Sequence, residues 1–359
     1  MHRRRKKSVH ALYRDSVEED GEKEMYRIAD DVEAVVTSFN QGEMLRDAVQ
    51  SLCGQTVLPS RIIIVDDGST DETSILILEQ IQEDTKRPVP VSVIRRSNSG
   101  VSAARNTGLC EVKTSMALIL DGDDKLEPEF LEKVSHMLRE DPSMVAASSW
   151  MRTFGVLDAV VKPSGGPVKN FLSRNCCPAS HILRKEVWEV CGGYDESMRS
   201  GFEDWDFFLN LLETRPDAWI GIVPEPLLDY RTAPASANVK SMSKRLELMR
   251  YLIDKHFRSY QEHLADAILG IEAISMSRLD GWEREMLHML ESGQKPGNNS
   301  EEFLRHPSYG DGGMAAAVRI ASRFDVKASD NEKENEERDR RALPDVPFVL
   351  LGSGFGYFF

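Results

Sequence analysis

Three carboxylates stand almost side by side after the apolar run ALIL: Asp121, Asp123 and Asp124, with only Gly122 between the first two. Asp-x-Asp offers hard oxygen ligands to Mg²⁺ or Mn²⁺, and a divalent ion is how a protein holds a diphosphate. A polar turn leading into a helix accounts for the same residues without a metal, because carboxylates after strands are common in α/β proteins. A second acidic pair, Glu203-Asp204, heads the apolar helical run WDFFLNLL. A helix N-terminus favours ionised carboxylates, which suits a base that takes a proton from a nucleophile. Charges placed only for the helix dipole are the commoner meaning of such a pair. A third pair, Asp66-Asp67, runs into Gly68-Ser69-Thr70-Asp71. It reads either as a ligand acceptor or as turn chemistry and capping of the next helix.

The run before Asp121 is flanked by helical patterns, so it predicts a buried strand of a parallel sheet whose carboxyl end opens on a ligand crevice. Residues 32–39 (VEAVVTSF), 61–65 (RIIIV) and 91–95 predict further strands. Between them Met44, Leu45, Ala48, Val49, Leu52 and Cys53 form one helical stripe, Ile75, Leu78 and Ile81 another, and SNSGVSAARNTGL reads as a turn opening a third helix. Such alternation implies a doubly wound α/β core with right-handed crossovers. Beyond it the pattern predicts a helix over 129–138, a strand over 145–154, a Pro- and Gly-rich stretch at 162–168, and a short helix over 185–190 closed by Gly192-Gly193. A strand over 219–223 follows, then a loop bounded by Pro224 and Pro226 that runs to Tyr230-Arg231. From Ser243 to about residue 290 the periodicity is helical. Residues 294–330 are rich in turns, 331–341 are densely charged, and the tail VPFVLLGSGFGYFF either packs back as a strand or meets a partner.

At 359 residues the chain is long enough for a large domain with an appendage, and a formal charge of −14 opposes general nucleic-acid binding. Five cysteines without a C-x-x-C spacing fit reduced thiols better than a disulfide framework or a zinc site. No apolar run reaches the length of a membrane span, and the basic MHRRRKK is followed by no apolar h-region. The expectation is a soluble cytoplasmic protein, with at most peripheral contact at the inner face of the membrane. Its first 28 residues are expected to be a flexible or loosely helical tail.

Six segments occur in a telling order: VVTSFNQGEML, IIIVDDGSTDET, NSGVSAARNTGL, LILDGDD, GGYDE and FEDWDFFLNL. Through them residues 33–232 resemble a bacterial family 2 inverting glycosyltransferase. The resemblance implies the GT-A fold, a Rossmann-like and mostly parallel sheet flanked by helices. With the helical reading it divides the chain into a charged tail (1–30), a GT-A domain (31–236), a helical appendage (237–293) and a C-terminal region of undefined character (294–359). It further implies transfer of a sugar from a nucleotide-diphosphate donor, foremost a UDP-sugar, to a hydroxyl on a saccharide, a lipid-linked saccharide or a peptide.

The resemblance also distributes roles. Asp204 would be the base, and Glu203 would orient the site or the acceptor. Asp67 would accept the uracil N3–H, Thr37 and Phe39 would lie against the nucleotide, and Gly100 would let the backbone approach. Arg105 would pair with a uracil carbonyl or the diphosphate. Asp121 would meet the ribose, Gly122 would belong to the same nucleotide-sugar site, Asp123 would hold Mn²⁺ or Mg²⁺, and Asp124 would stand behind it. Read without the family, Arg105 is equally a helix-surface cation and Gly100 a turn residue. Two departures stand out. Phe39 occupies a position where many relatives carry Tyr, and YRTAPASAN lacks the His that often follows Tyr-Arg. Metal ligation would then rest on Asp123, diphosphate and water, with Arg231 and Ser236 reaching phosphate oxygens. His181, on the acceptor side, reads either as an acceptor contact or as a structural histidine.

Two other classes compete. A nucleotidyltransferase needs a Gly-rich phosphate loop with Arg and Lys near the first strand, which TSFNQGEM does not supply. A non-catalytic relative would bind a nucleotide-sugar or a partner through a decayed site; the intact DGDD and ED oppose it and the missing His allows it. The helical C-terminal part is where acceptor choice or homo-oligomerisation would be set.

Overall fold

The computed structural model describes residues 12–15, 25–233 and 241–292, with residues 306, 313, 316 and 318–320. The chain opens with β1 (Leu12–Asp15) and β2 (Met25–Ala29), paired antiparallel. There follow β3 (Val32–Ser38), α1 (Glu43–Cys53) and β4 (Leu58–Pro59), the last of which joins β2 in parallel to complete a three-stranded sheet. This corrects the expected flexible or loosely helical tail for these residues. Ile28 and Ala29 are buried in the main core, an anchor that short alternation among charges did not reveal.

The larger sheet has ten strands. Its centre is built from β3, β5 (Ile62–Asp66), β6 (Val91–Arg95) and β7 (Met116–Asp121), all parallel in the spatial order β6-β5-β3-β7. Helices α2 (Glu72–Glu83) and α3 (Val101–Glu111) follow β5 and β6 in the chain. Strands β3 and β5 are buried at every position, which is why apolar residues dominate both, with polar residues at Glu33 and at their carboxyl ends. One core layer joins α1, α2 and the helix over Phe130–Glu140 to the sheet, and the second lies under α3. Gly108 lets α3 lie directly on β3, since a Cβ there would fall 2.2 Å from Val35 Cγ1.

After β7 come β8 (Lys125–Leu126), α4 (Phe130–Glu140), β9 (Met144–Gly155), β10 (Ala159–Val161), β11 (Gly166–Pro167), α5 (Val168–Phe171), β12 (His181–Arg184), α6 (Lys185–Cys191), α7 (Glu203–Leu212) and β13 (Trp219–Thr232). Strand β12 is antiparallel to β7 and β9, while β13 is parallel to β9 and antiparallel to β8 and β11. The loop expected after residue 223 is corrected: β13 continues to Thr232. Its register shifts between Val223 and Pro226 and again between Pro226 and Leu228, so the prolines sit where the ladder is already broken and no amide donor is needed.

The helical region holds α8 (Arg245–Lys255), α9 (Phe257–Glu262) and α10 (Leu264–Glu291). The chain divides into two compact units, Met1–Ile271 and Glu272–Phe359. Helices α8 and α9 therefore belong with the α/β part and not to an appendage starting at residue 237; Leu252 and Tyr260 are buried in the same core as α7. Within the second unit Arg319 pairs with Glu283 at 2.7 Å. Among the described residues no helix is long and apolar enough to cross a membrane. The basic residues 3–7, Ser236, residues 331–341 and the apolar tail lie outside the described residues.

Candidate active site

The parallel pairing of β3 with β7 sets Thr37 opposite Asp121, at the point where the strand order reverses. The Thr37 hydroxyl donates to Asp121 Oδ1 at 3.1 Å. The Gly122 amide donates to the Thr37 carbonyl at 2.9 Å. A Cβ at Gly122 would lie 2.1 Å from Gln41 Oε1 and 2.7 Å from the Thr37 carbonyl, so the acidic turn needs glycine for closeness. Gln41 Nε2 donates to Asp123 Oδ1 at 3.3 Å. Burial, reinforced by the charge of Asp121, pushes the Asp123 carboxyl up to about 6, with Arg231 and Arg105 working against the rise.

Asp124 is buried behind this turn. Its Oδ1 accepts the Arg231 amide at 2.9 Å and its Oδ2 the Ser180 hydroxyl at 3.5 Å, so it ties β13 and the approach to β12 to the acidic turn. Burial, with Asp121 and Asp123 adding, raises it well above the usual carboxylate range. Arg231 donates Nε to the Asp123 carbonyl at 3.1 Å, and its guanidinium lies 4.6 Å from the Phe154 ring. The Lys125 ammonium lies 4.7 Å from that same ring. Lys125 went unnoticed in the sequence, although it directly follows the DGDD carboxylates.

Arg105 is not a helix-surface cation. It is fully buried, its Nη2 donates to Asp121 Oδ1 and Oδ2 at 2.8 and 2.9 Å, and its Nη1 stands 4.0 Å from Glu203 Oε1. Burial alone would loosen its proton, but Asp121, Tyr194 and Glu203 outweigh that. The guanidinium also faces the Tyr194 ring at 5.3 Å, and Tyr194 stacks on Phe207 of α7 at 3.7 Å.

Helix α7 starts after Phe202, whose φ of 67° turns the chain sharply into the helix. Asp204 Oδ1 accepts the Trp205 amide at 2.9 Å and Oδ2 accepts Asn175 Nδ2 at 3.0 Å. Burial, with the neighbouring Asp204 charge adding and Arg105 opposing, pushes Glu203 up to about 7. Asp204 is raised by burial as well, against the pull of Arg105 and the Trp205 amide. Trp205 anchors the helix by donating Nε1 to the Phe171 carbonyl at 2.6 Å. Asp206 points the other way, into α8 and its neighbour, and pairs with Lys255 at 2.8 Å and His256 at 3.0 Å.

Asp67 and Gly100 form a pair of their own at the head of α3. Asp67 accepts the Ser99 amide at 3.1 Å and the Gly100 amide at 2.7 Å, and Arg96 lies 3.3 Å away. Both carboxylate oxygens thus already hold the turn that Gly100, at φ 94°, makes possible. Asp66 is buried and takes the Ser69 amide and hydroxyl, which is turn chemistry; the cap of α2 is Asp71, which accepts the Ser74 amide at 2.8 Å. Phe39 stands exposed at the rim, just beyond β3. His181 is structural: fully buried, with Nδ1 2.7 Å from the Ala179 carbonyl and the ring edge-on to Phe208 at 4.9 Å. Burial lowers it to about 3, so it is neutral. Among the described residues no three His, Cys, Asp or Glu side chains converge on a metal position.

The acids of β7 and α7, bridged by one arginine at the reversal point of the sheet, are accompanied by a direct match: residues 33–187 fit the model of glycosyl transferase family 2. Over that stretch the chain is similar to the glycosyltransferases of family 2. Similar proteins include an Escherichia coli chondroitin synthase, 26% identical over 252 residues that make up 69% of this chain and 34% of that protein. An uncharacterized glycosyltransferase of Haemophilus influenzae is 29% identical over 188 residues, 50% of this chain and 61% of that one. The chain therefore spans between about a third and three fifths of the length of these relatives. The crystal structure of S. aureus TarS 1–349 with UDP-GlcNAc superposes with a TM-score of 0.51 at 14% identity, covering 82% of this chain and 80% of that one. This likeness shows the fold, and it agrees with the GT-A architecture the sequence resemblance implied.

Proposed function

We propose that this chain is a metal-dependent inverting glycosyltransferase that moves a sugar from a UDP-sugar to a hydroxyl of a saccharide, a lipid-linked saccharide or a peptide. The observation that carries the reading is the placing of the Glu203-Asp204 pair beside Asp121 through the buried Arg105, which sets a candidate base next to a candidate donor site. The UDP-GlcNAc bound by TarS supports a UDP-sugar donor. Five free cysteines are in keeping with a cytoplasmic enzyme, which would meet membrane-held acceptors at the inner face.

In a single displacement the acceptor oxygen forms a bond to the anomeric carbon while the bond from that carbon to the diphosphate oxygen breaks on the opposite face. Asp204 takes the acceptor's proton, and the bonding pair leaves with the nucleoside diphosphate. Glu203 orients the acceptor. Arg231 and Lys125, gathered on the Phe154 ring beside the Asp123 carbonyl, offer positive charge to phosphate oxygens. Asp123 suits a divalent ion: its oxygens are hard donors, it receives only a long hydrogen bond from Gln41, and burial beside Asp121 leaves its ionised form in want of a cation. Bound Mn²⁺ or Mg²⁺ would offset charge on the departing diphosphate.

Calorimetry of UDP binding with and without Mn²⁺, on wild type and Asp123→Ala, tests the donor site. Mn²⁺ should tighten UDP binding, and the substitution should abolish that gain. Hydrolysis of UDP-sugars, with Asp204→Asn as the inactive control, then tests turnover. Absence of UDP binding in both conditions would rule out the donor assignment. Binding without turnover of any UDP-sugar would point instead to a non-catalytic relative.

A further inference from the structure

The segment between α5 and β12 carries a side chain that neither its sequence nor the family resemblance had marked. Asn175 uses both ends of its carboxamide: Oδ1 accepts the Cys177 amide at 3.2 Å, and Nδ2 donates to Asp204 Oδ2 at 3.0 Å. Because a backbone N–H must meet the oxygen, the orientation of the amide is fixed and its nitrogen must face the carboxylate. The segment is itself held on several sides. Phe171 accepts the Trp205 indole at 2.6 Å, Leu172 the Tyr260 hydroxyl at 2.9 Å, and Cys176 the Gly165 amide at 3.0 Å.

We propose, resting on the reading of Asp204 as the base, that Asn175 is a positioning residue that locks the Asp204 carboxylate in one orientation and keeps it ionised for the acceptor. A neutral N–H donated to a carboxylate favours its charged form. The charged and titratable groups around Asp204 are Glu203 on its own helix, Arg105 on α3, Asp121 on β7, Cys177 in the Asn175 segment, and Tyr194 and Tyr230. Arg105 is the cation in that set, and its Nη2 is committed to Asp121. Among the described residues, the direct hydrogen bonds to the Asp204 carboxylate come from the Trp205 amide on one oxygen and Asn175 on the other. Each oxygen keeps a free lone pair on which the acceptor's proton can land.

Asn175→Asp is the decisive variant, since it keeps the oxygen that Cys177 needs and replaces the donor by a second carboxylate oxygen. Its profile of turnover against pH should show the acid limb moved up by about 1 pH unit or more, with kcat at pH 7 lower by about tenfold. Donor KM and UDP affinity should stay within about twofold of wild type, because the substitution leaves the donor side untouched. Asn175→Ala, which removes the donor without adding charge, should move the limb less in the same direction, and it carries the test should the Asp variant fail to fold. Variants that bind UDP normally and keep the wild-type acid limb and kcat would overturn the role of Asn175 while leaving the glycosyltransferase reading intact, provided Asp204→Asn is inactive. A wild-type chain that turns over no nucleotide-sugar would remove the reading of Asp204 as a base, and the role of Asn175 with it.

Discussion

Arg105 Nη2 lies 2.8 Å from Asp121 Oδ1 while its Nη1 stands 4.0 Å from Glu203 Oε1, so one buried cation spans the acids of β7 and α7. Removing it leaves two carboxylates without their counter-charge. Arg105→Met should destabilise the protein by about 3 kcal/mol or more, the usual cost of stripping one partner from a buried pair. Arg105→Lys should recover only part, because a point charge cannot face Asp121 and Glu203 together. Thermal unfolding of the three proteins checks this; a Met variant as stable as wild type would show the bridge to be dispensable.

The protonation of Glu203 and of Asp204 makes stability and activity depend on pH in opposite directions. Its carboxyl is pushed up to about 7, first by burial and then by Asp204, so the folded protein holds this proton more tightly than the unfolded chain. Its contribution favours the fold at acid pH, below the ordinary carboxylate range, and is lost as pH rises through about 7. Glu203→Gln should therefore stabilise the protein at pH 8, by on the order of 1–3 kcal/mol, and have little effect at pH 4. Turnover should run the other way and fall at acid pH, where Asp204, raised above the usual carboxylate range by burial, takes up a proton and the base is lost. Thermal melts of wild type and variant at the two pH values, beside a pH–rate profile, check both signs.

His256 sits between two carboxylates, with Nε2 3.0 Å from Asp206 and Nδ1 2.9 Å from Glu213. Burial disfavours its charge, but the two carboxylates outweigh that and raise it above the usual histidine range. This contribution is fully present below about pH 6.5 and is lost as pH rises through the raised value. Lys255 joins the network by bridging Asp206 and Asp195, at 2.8 Å each. His256→Gln should cost about 1–3 kcal/mol at pH 6 and much less at pH 9. Urea unfolding at those two values measures it. An equal loss at both would mean the histidine acts through packing and not through charge.

Much of this was readable in the chain because burial on both faces writes itself as runs of mostly apolar residues. Strand β6 was read at its observed bounds, and β3, β5 and β7 within a residue or two, with the acids that end β5 and β7 in place. Helix α7 was equally plain from its acidic head and apolar face. Elements whose logic is a partner elsewhere were not legible. Strand β13 runs through two prolines because its register slips there, and β12 is four residues whose strand character comes from β7 and β9. The site shows the same limit. The DGDD and ED acids announced themselves, but Asp206 turned out to face Lys255 and His256, some 50 residues on, and nothing local signals that. Asn175 is likewise an ordinary loop asparagine until Asp204 comes within 3.0 Å.

Gly122 offers the sharpest test of the acidic turn. An alanine Cβ there would meet Gln41 Oε1 at 2.1 Å and the Thr37 carbonyl at 2.7 Å. The glutamine is the end of a flexible side chain and can swing away, although its hydrogen bond to Asp123 goes with it. The Thr37 carbonyl is backbone, fixed by its pairing in the sheet, so the turn itself must lift. Overpacking of this kind costs about 1–3 kcal/mol and moves the atoms that caused it. Gly122→Ala should thus weaken UDP binding in Mn²⁺ by about tenfold, a larger effect than its change in thermal midpoint suggests. Gln41→Ala should remove the first clash and leave the second, so the double variant should not recover wild-type affinity. Calorimetry on the single and double variants decides the matter: full recovery in the double variant would place the whole effect on Gln41, and the close approach of Gly122 to the Thr37 carbonyl would then have no part in shaping the site.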